Sequence, residues 1–313
     1  MKVTKNKIIL SIFLIVLLYA ILLIYSDIEI IIKIFQKIQI FYLFPILLIV
    51  ITSVFLRSLL QRYLLKKIGI DISIKYSFHI FLSALSMVIT PGGAGLLIKS
   101  DFIKRRYGHS ISKTSPVVLT ERFHDVLGDS LVIAFTIFFI FSNISFIITM
   151  VSTGIVVIIF SLIRSKKLPT LINFLCNKSK FFRKTVPNDK DFHLSLNTLF
   201  SNRIFAVTSI CVVGFTLLDG VAIYLGFLAL NLEIGFIEAV QTFYTSILSG
   251  ALSFIPGGIG LTEASFIGIL TNKGYDIAIS TAVIIFIRLS TMWFLVAIGF
   301  VTSTFLLSEK DYL

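Results

Sequence analysis

The chain has 313 residues, 57% of them hydrophobic and only 14% charged, with 28 Lys and Arg against 16 Asp and Glu. A soluble domain carries about 25% charged residues, so a mean hydropathy of +0.99 excludes a soluble enzyme and makes this an integral membrane protein. The net charge of +12 does not point to nucleic acid, because the basic residues gather in loops beside apolar runs, as topogenic charge does.

In chain order, Ile8 to Tyr25 predicts a first span behind Lys2, Lys5 and Lys7, too long to be a cleaved signal. Residues 26–39 mix Asp27, Glu29, Lys33 and Lys37 with isoleucines and predict a short amphipathic interfacial helix. A second span covers about 40–60. Arg62, Lys66, Lys67 and Lys75 follow it and assign that loop, and the N-terminus, to the cytoplasm. Residues 76–90 are apolar, but at 1.5 Å per residue they reach only about 22 Å, short of the roughly 30 Å hydrocarbon core. Pro91-Gly92-Gly93-Ala94-Gly95 then breaks the run, since proline lacks the N–H a helix needs and glycine is costly there. The next short segment ends in Lys104, Arg105 and Arg106. Both ends of 76–106 therefore belong on one side, which predicts a re-entrant helical hairpin turning at Pro91.

A long span follows at about 115–141, carrying Glu121, Arg122, Asp125 and Asp129, and 144–163 returns. Residues 164–203 read as a basic cytoplasmic loop. Residues 204–230 cross outward, and 231–239 carry Glu233 and Glu238 without Lys or Arg, as an exterior loop does. A second broken segment, about 240–271, is interrupted at Pro256-Gly257-Gly258-Ile259-Gly260 and enters from the opposite side. A last span at about 277–307 brings the C-terminus inside. The expected fold is an all-α integral membrane protein of six transmembrane helices plus two oppositely oriented re-entrant hairpins. It is a single polytopic domain over 1–313, with half-repeats at about 40–163 and 204–307 on either side of the 164–203 loop.

An offset of 165 positions superposes Pro91, Gly92, Gly93 and Gly95 on Pro256, Gly257, Gly258 and Gly260, and one inserted residue brings Arg122 onto Arg288. An arginine inside a span costs roughly 2.5–3.5 kcal/mol on insertion scales, so its recurrence supports an inverted repeat. Paired interruptions in two halves are the sequence pointer to a transporter's binding site.

A helix beginning just past Gly95 or Gly260 would aim unpaired N–H groups and a positive dipole end at an anion, and glycine lets that anion approach the backbone. The alternative is a packing kink. Arg122, Asp125 and Asp129 share one helical stripe with Glu121 beside it. A buried arginine either neutralises a carboxylate or grips a phosphate through two parallel hydrogen bonds. The substrate-binding set expected from these arguments is Pro91, Gly92, Gly93, Gly95, Lys99, Glu121, Arg122, Asp125, Pro256, Gly257, Gly258, Gly260, Glu263 and Arg288. Lys99, Lys104, Arg105 and Arg106 are also explained by topogenic charge. Asp219 is a lone intramembrane acid. His124 has no nucleophile arrangement around it and reads as packed. Cys176 and Cys211 are too few for a disulfide framework. No catalytic residue, metal or cofactor is called for.

Thr90-Pro91-Gly92-Gly93-Ala94-Gly95 with Lys99, then Glu121-Arg122 with Asp125, then Pro256-Gly257-Gly258-Ile259-Gly260-Leu261-Thr262-Glu263, then Arg288 with Trp293, resembles the flippase-like transmembrane family of lysylphosphatidylglycerol synthases. That family's first motif carries arginine and glutamate where Gly93 and Leu96 stand. The resemblance covers most of the chain but not the family's soluble aminoacyl-transferase domain. It implies a protein of the inner (cytoplasmic) membrane that moves an anionic phospholipid or a lipid-linked glycan between leaflets. The expected partners are that lipid and the bilayer, not nucleic acid, and a homo-oligomer is compatible with this. A small-solute or ion transporter of the same architecture is the alternative, with a membrane-embedded lipid-modifying transferase behind it.

Overall fold

A computed structural model describes residues 28–90, 95–165, 190–253 and 255–308, and all regular structure among them is helical. The expected first span, Ile8 to Tyr25, lies outside the described residues, as do Pro91, Gly92 and Gly93 and most of the 164–203 loop. Helix α1, Ile28–Gln36, forms within the predicted interfacial stretch and buries Ile31. A short 3-10 turn, Ile40–Tyr42, leads into α2, Leu43–Lys67.

Helices α3, Ile74–Leu85, and α4, Ile98–Tyr107, flank the first break. Ser73 starts α3 by accepting the Tyr76 N–H at 3.2 Å, and Gly108 ends α4 in the left-handed region at φ 73°, where only glycine is unstrained. The two legs run antiparallel: Tyr76 Oη, at the start of α3, donates to Phe102 O of α4 at 3.1 Å, and the Tyr76 and Tyr107 rings lie 5.5 Å apart. Helix α5, Ile111–Ile137, has 27 residues, about 40 Å of length. Helix α6, Asn143–Arg164, packs against it.

Within the stretch expected to be a loop, Lys190–Leu199 forms α7. Phe192, Leu196 and Leu199 are buried because they repeat at helical spacing and so present one apolar stripe, which lies against α5. Helix α8, Asn202–Ala229, is followed by α9, Phe236–Leu252, and α10, Leu261–Asn272, which flank the second break. Lys273 Nζ, just past α10, sits 2.9 Å from Glu238 Oε1 in the first turn of α9, so this pair is antiparallel as well. Helix α11, Ile277–Arg288, passes through a π turn, Leu289–Trp293, into α12, Phe294–Ser308.

Ile40–Lys67, Asn143–Arg164, Asn202–Ala229 and Ile277–Leu306 are long and apolar enough to cross a membrane. Helix α5 has the length but carries charges. The hairpin legs are shorter: α3 and α10 have 12 residues each, α4 has 10 and α9 has 17, about 15–26 Å. This is an all-α, multi-pass membrane fold. Each broken segment has its own apolar core. Leu64, Ile80, Phe102, Val117 and Phe192 gather around the first, and Ile223, Phe227, Val240, Phe266 and Val283 around the second. Helix α2 packs on α8, α3 on α12, and α9 on α5. Gly299 allows the α3–α12 approach, since a Cβ there would stand 2.4 Å from Leu82 O.

Candidate functional site

The second break is built by glycines that no other residue could replace without strain. Pro256–Gly258 make a 3-10 turn, and Gly257, Gly258 and Gly260 have φ of 62°, 65° and 93°, a region that L side chains rarely adopt. Glu263 lies three residues past Gly260, where a carboxylate can reach back over the helix start. Its Oε2 accepts the Gly260 N–H at 2.7 Å, and its Oε1 accepts from Arg288 Nε at 2.8 Å. Arg288 also donates to Gly257 O at 3.2 Å. Both side chains are buried. The positive helix end and the arginine expected to meet an outside anion thus meet the chain's own carboxylate. The π turn begins at the residue after Arg288, and such bulges recur at functional sites.

At the first break, Gly95 N donates to Thr90 Oγ1 at 2.7 Å. Lys99 lies in the first turn of α4. It is buried, with Nζ 2.8 Å from Glu121 Oε2 and 3.8 Å from the centre of the Phe81 ring. The two breaks approach one another: a Cβ on Gly257 would stand 3.9 Å from the Ile89 Cα. Each hairpin is therefore tied to the helix that follows it by one buried ion pair, and the polarity is reversed between the two. The lysine is on the hairpin in the first, and the glutamate in the second. Glu121, not Arg122, is the α5 residue that pairs with the first hairpin.

Arg122 belongs to a third cluster, centred on a residue that the sequence argument did not select. Arg57 of α2 bridges α5 and α8, with Nη1 2.7 Å from Asp125 Oδ1 and Nη2 2.9 Å from Asp219 Oδ2. The Arg57 guanidinium also lies 5.6 Å from the Phe215 ring centre. Arg122 Nη2 is 3.4 Å from Asp125 Oδ2, and Thr216 Oγ1 donates to Asp129 Oδ1 at 3.5 Å. Arg122 Nε has no hydrogen-bond partner among the described residues. Unlike the two hairpin pairs, this cluster is open: the side chains of Arg57, Asp125, Asp219 and Arg122 are 21%, 24%, 30% and 43% exposed. The signal for Arg57 was present in its partners, because an intramembrane acid such as Asp125 or Asp219 requires a cation.

His124 is packed, with Nδ1 2.8 Å from Thr120 O and its ring against Phe200 and Phe205. Among the described residues no group of three or more His, Cys, Asp and Glu could hold a metal ion.

Residues 8–299 match the model of the lysylphosphatidylglycerol synthase transmembrane region. The chain is similar to a UPF0104 membrane protein of Pyrococcus horikoshii, 26% identical over 312 residues, covering 91% of this chain and 92% of the relative. It is also similar to a UPF0104 membrane protein of Methanocaldococcus jannaschii, 26% identical over 221 residues, 67% of this chain and 89% of the relative. No solved structure matches it significantly. The matched region is the membrane part of the family and carries no standalone enzymatic domain. The chain belongs to the lysylphosphatidylglycerol synthase transmembrane-region family, membrane-embedded proteins linked to lipid handling.

Proposed function

We propose that this protein moves an anionic phospholipid or a lipid-linked glycan between leaflets, with the headgroup passing the Arg57–Arg122 cluster. The observation that carries this is the exposure of that cluster. Charged side chains on membrane-crossing helices are tolerated only when they face the bundle interior or a water-filled cavity, and Arg57 and Asp219 sit on two helices long and apolar enough to cross yet are part-exposed. Arg122 makes one long contact, 3.4 Å to Asp125 Oδ2, and 43% of its side chain is exposed, which leaves its outer guanidinium nitrogens able to take a phosphate through a charge-assisted pair of hydrogen bonds.

The two hairpins form the frame. Legs of about 15–26 Å fall short of a core of roughly 30 Å, which supports re-entrant hairpins. The first hairpin joins the N-terminal end of α5, whereas Gln241 of the second donates to Ile140 O beyond its C-terminal end at 2.8 Å. That supports entry from opposite faces, with the breaks meeting at Ile89 and Gly257. The reciprocal packing of α3 on α12 and α9 on α5 supports an inverted repeat. Because Glu263 and Glu121 already satisfy the hairpin cations, Gly260, Lys99 and Arg288 position the frame, and the headgroup contacts fall to Arg122 and Arg57.

One observation favours a second reading, a cation transporter of the same architecture: Asp125, Asp129 and Asp219 outnumber Arg57 and Arg122. Reconstitution separates the two. Proteoliposomes holding fluorescent phosphatidylglycerol in both leaflets should lose nearly all of the signal to an impermeant quencher, against about half in protein-free vesicles. Quenching that stays at half, together with uptake of a soluble cation, would replace the lipid reading by the second.

A further inference from the structure

At the end of the bundle where α8 stops and α11 starts lies an open groove of about 430 Å³, walled by Tyr224, Leu228, Glu233, Glu238 and Tyr275. That volume falls within the roughly 300–1,000 Å³ of small-molecule sites. It shares no residue with the Arg57–Arg122 cluster and stands apart from it.

Its chemistry runs against the rest of the chain. The protein carries a net charge of +12, yet the groove's ionisable lining is two carboxylates and two phenols. Lys273 neutralises one carboxylate, lying 2.9 Å from Glu238 Oε1. Glu233 makes no ion pair among the described residues, so one negative charge is left facing the groove. The aromatic walls are held in place: Tyr275 Oη donates to Glu233 O at 3.2 Å, and the Tyr224 ring meets Phe236 edge-on at 5.5 Å. Burial, and then the Glu238 charge, push the Tyr275 phenol above its ordinary value, so it keeps its proton and adds no charge of its own.

A carboxylate beside two tyrosine side chains suits an organic cation, through Coulomb attraction and the negative face of any ring it lies over. We propose that this groove binds an organic ammonium group, either the amine of a membrane-lipid headgroup or a free soluble amine. Its position at the ends of two membrane-crossing helices gives access from the interface, where tyrosines are at home.

The test uses the full chain in nanodiscs of phosphatidylglycerol alone, titrated calorimetrically with ethanolamine and, as a neutral control of similar size, ethylene glycol. Saturable binding of ethanolamine and none of ethylene glycol is expected. Glu233→Gln should weaken binding by about fivefold, the upper range for an exposed charge. Lys273→Gln should strengthen it by about the same factor, because it uncovers Glu238. Opposite shifts in the two variants cannot come from a general loss of folding. Absent or unsaturable binding, equal binding of ethylene glycol, or an affinity unchanged in both variants would overturn the proposal. Repeating the titration with phosphatidylethanolamine in the nanodisc identifies the source. Competition with ethanolamine supports the lipid amine, and an unchanged affinity supports the soluble one. Failure of this binding leaves lipid translocation standing, and failure of translocation leaves it standing in turn.

Discussion

Glu263 joins the start of its own helix to Arg288 on the next: one carboxylate oxygen lies 2.7 Å from Gly260 N and the other 2.8 Å from Arg288 Nε, with both side chains buried. A single carboxylate thus caps a helix that begins in the interior, neutralises the deepest arginine and fixes the second hairpin to α11. The Lys99–Glu121 pair, at 2.8 Å, does the corresponding work for the first hairpin.

Removing one partner of such a pair leaves an uncompensated buried charge. Arg288→Met should therefore lower stability by about 3–5 kcal/mol, read as a large fall in the midpoint of thermal unfolding in detergent. The double variant Arg288→Met with Glu263→Gln should recover most of that loss, because no charge is then left unpaired. A double variant no better than the single one would show that the pair is not the tie.

Close approach of backbones makes a second prediction. Gly299→Ala puts a Cβ 2.4 Å from Leu82 O and 2.8 Å from Ser86 N, and backbone cannot yield as a flexible side chain would. A loss of about 1–3 kcal/mol is expected for such overpacking. Gly268→Ala, where nothing lies within 4 Å, should be neutral or slightly stabilising in a helix interior. Thermal unfolding of the two variants side by side checks the contrast.

The open cluster predicts a separation of folding from transport. Arg122→Ala removes a side chain 43% exposed and should leave the unfolding midpoint within about 0.5 kcal/mol of the parent. Lipid movement should fall by about tenfold or more, since a charge-assisted bond to phosphate is worth roughly 1.5–3 kcal/mol. Arg57→Ala, by contrast, strips the cation shared by Asp125 and Asp219 and should cost both stability and transport.

The sequence made the two breaks and the short helices beside them legible, because proline and glycine leave a local mark. Arg57 was not, because it lies in the last part of an apolar helix that also carries Arg62, Lys66 and Lys67, where arginine reads as ordinary topogenic charge. Its partners are 68 and 162 residues away, and no local pattern encodes such distances. The burial of Lys99 was not legible for a similar reason: its partner is Glu121, 22 residues on. The aligned arginines suggested that Arg122 and Arg288 are equivalents. In the structure the neighbouring Glu121 pairs with Lys99 of the first hairpin, and Arg122 joins the Arg57 cluster through Asp125. Helix α7 was hidden because its short apolar stripe sits at the edge of a strongly basic stretch.

The headgroup's path past Arg57 and Arg122 is tested most directly by photolabelling. Phosphatidylglycerol carrying a photoreactive group beside its phosphate, incorporated in nanodiscs with the full chain, is cross-linked and the labelled peptides are mapped by mass spectrometry. Labelling should fall on α2, α5 and α8 around Arg57, Arg122 and Asp219, compete with excess unmodified phosphatidylglycerol, and drop in Arg122→Ala. Labelling confined to the outer lipid-facing turns of α6 and α12, equal in the parent and the Arg122→Ala variant, would contradict the account.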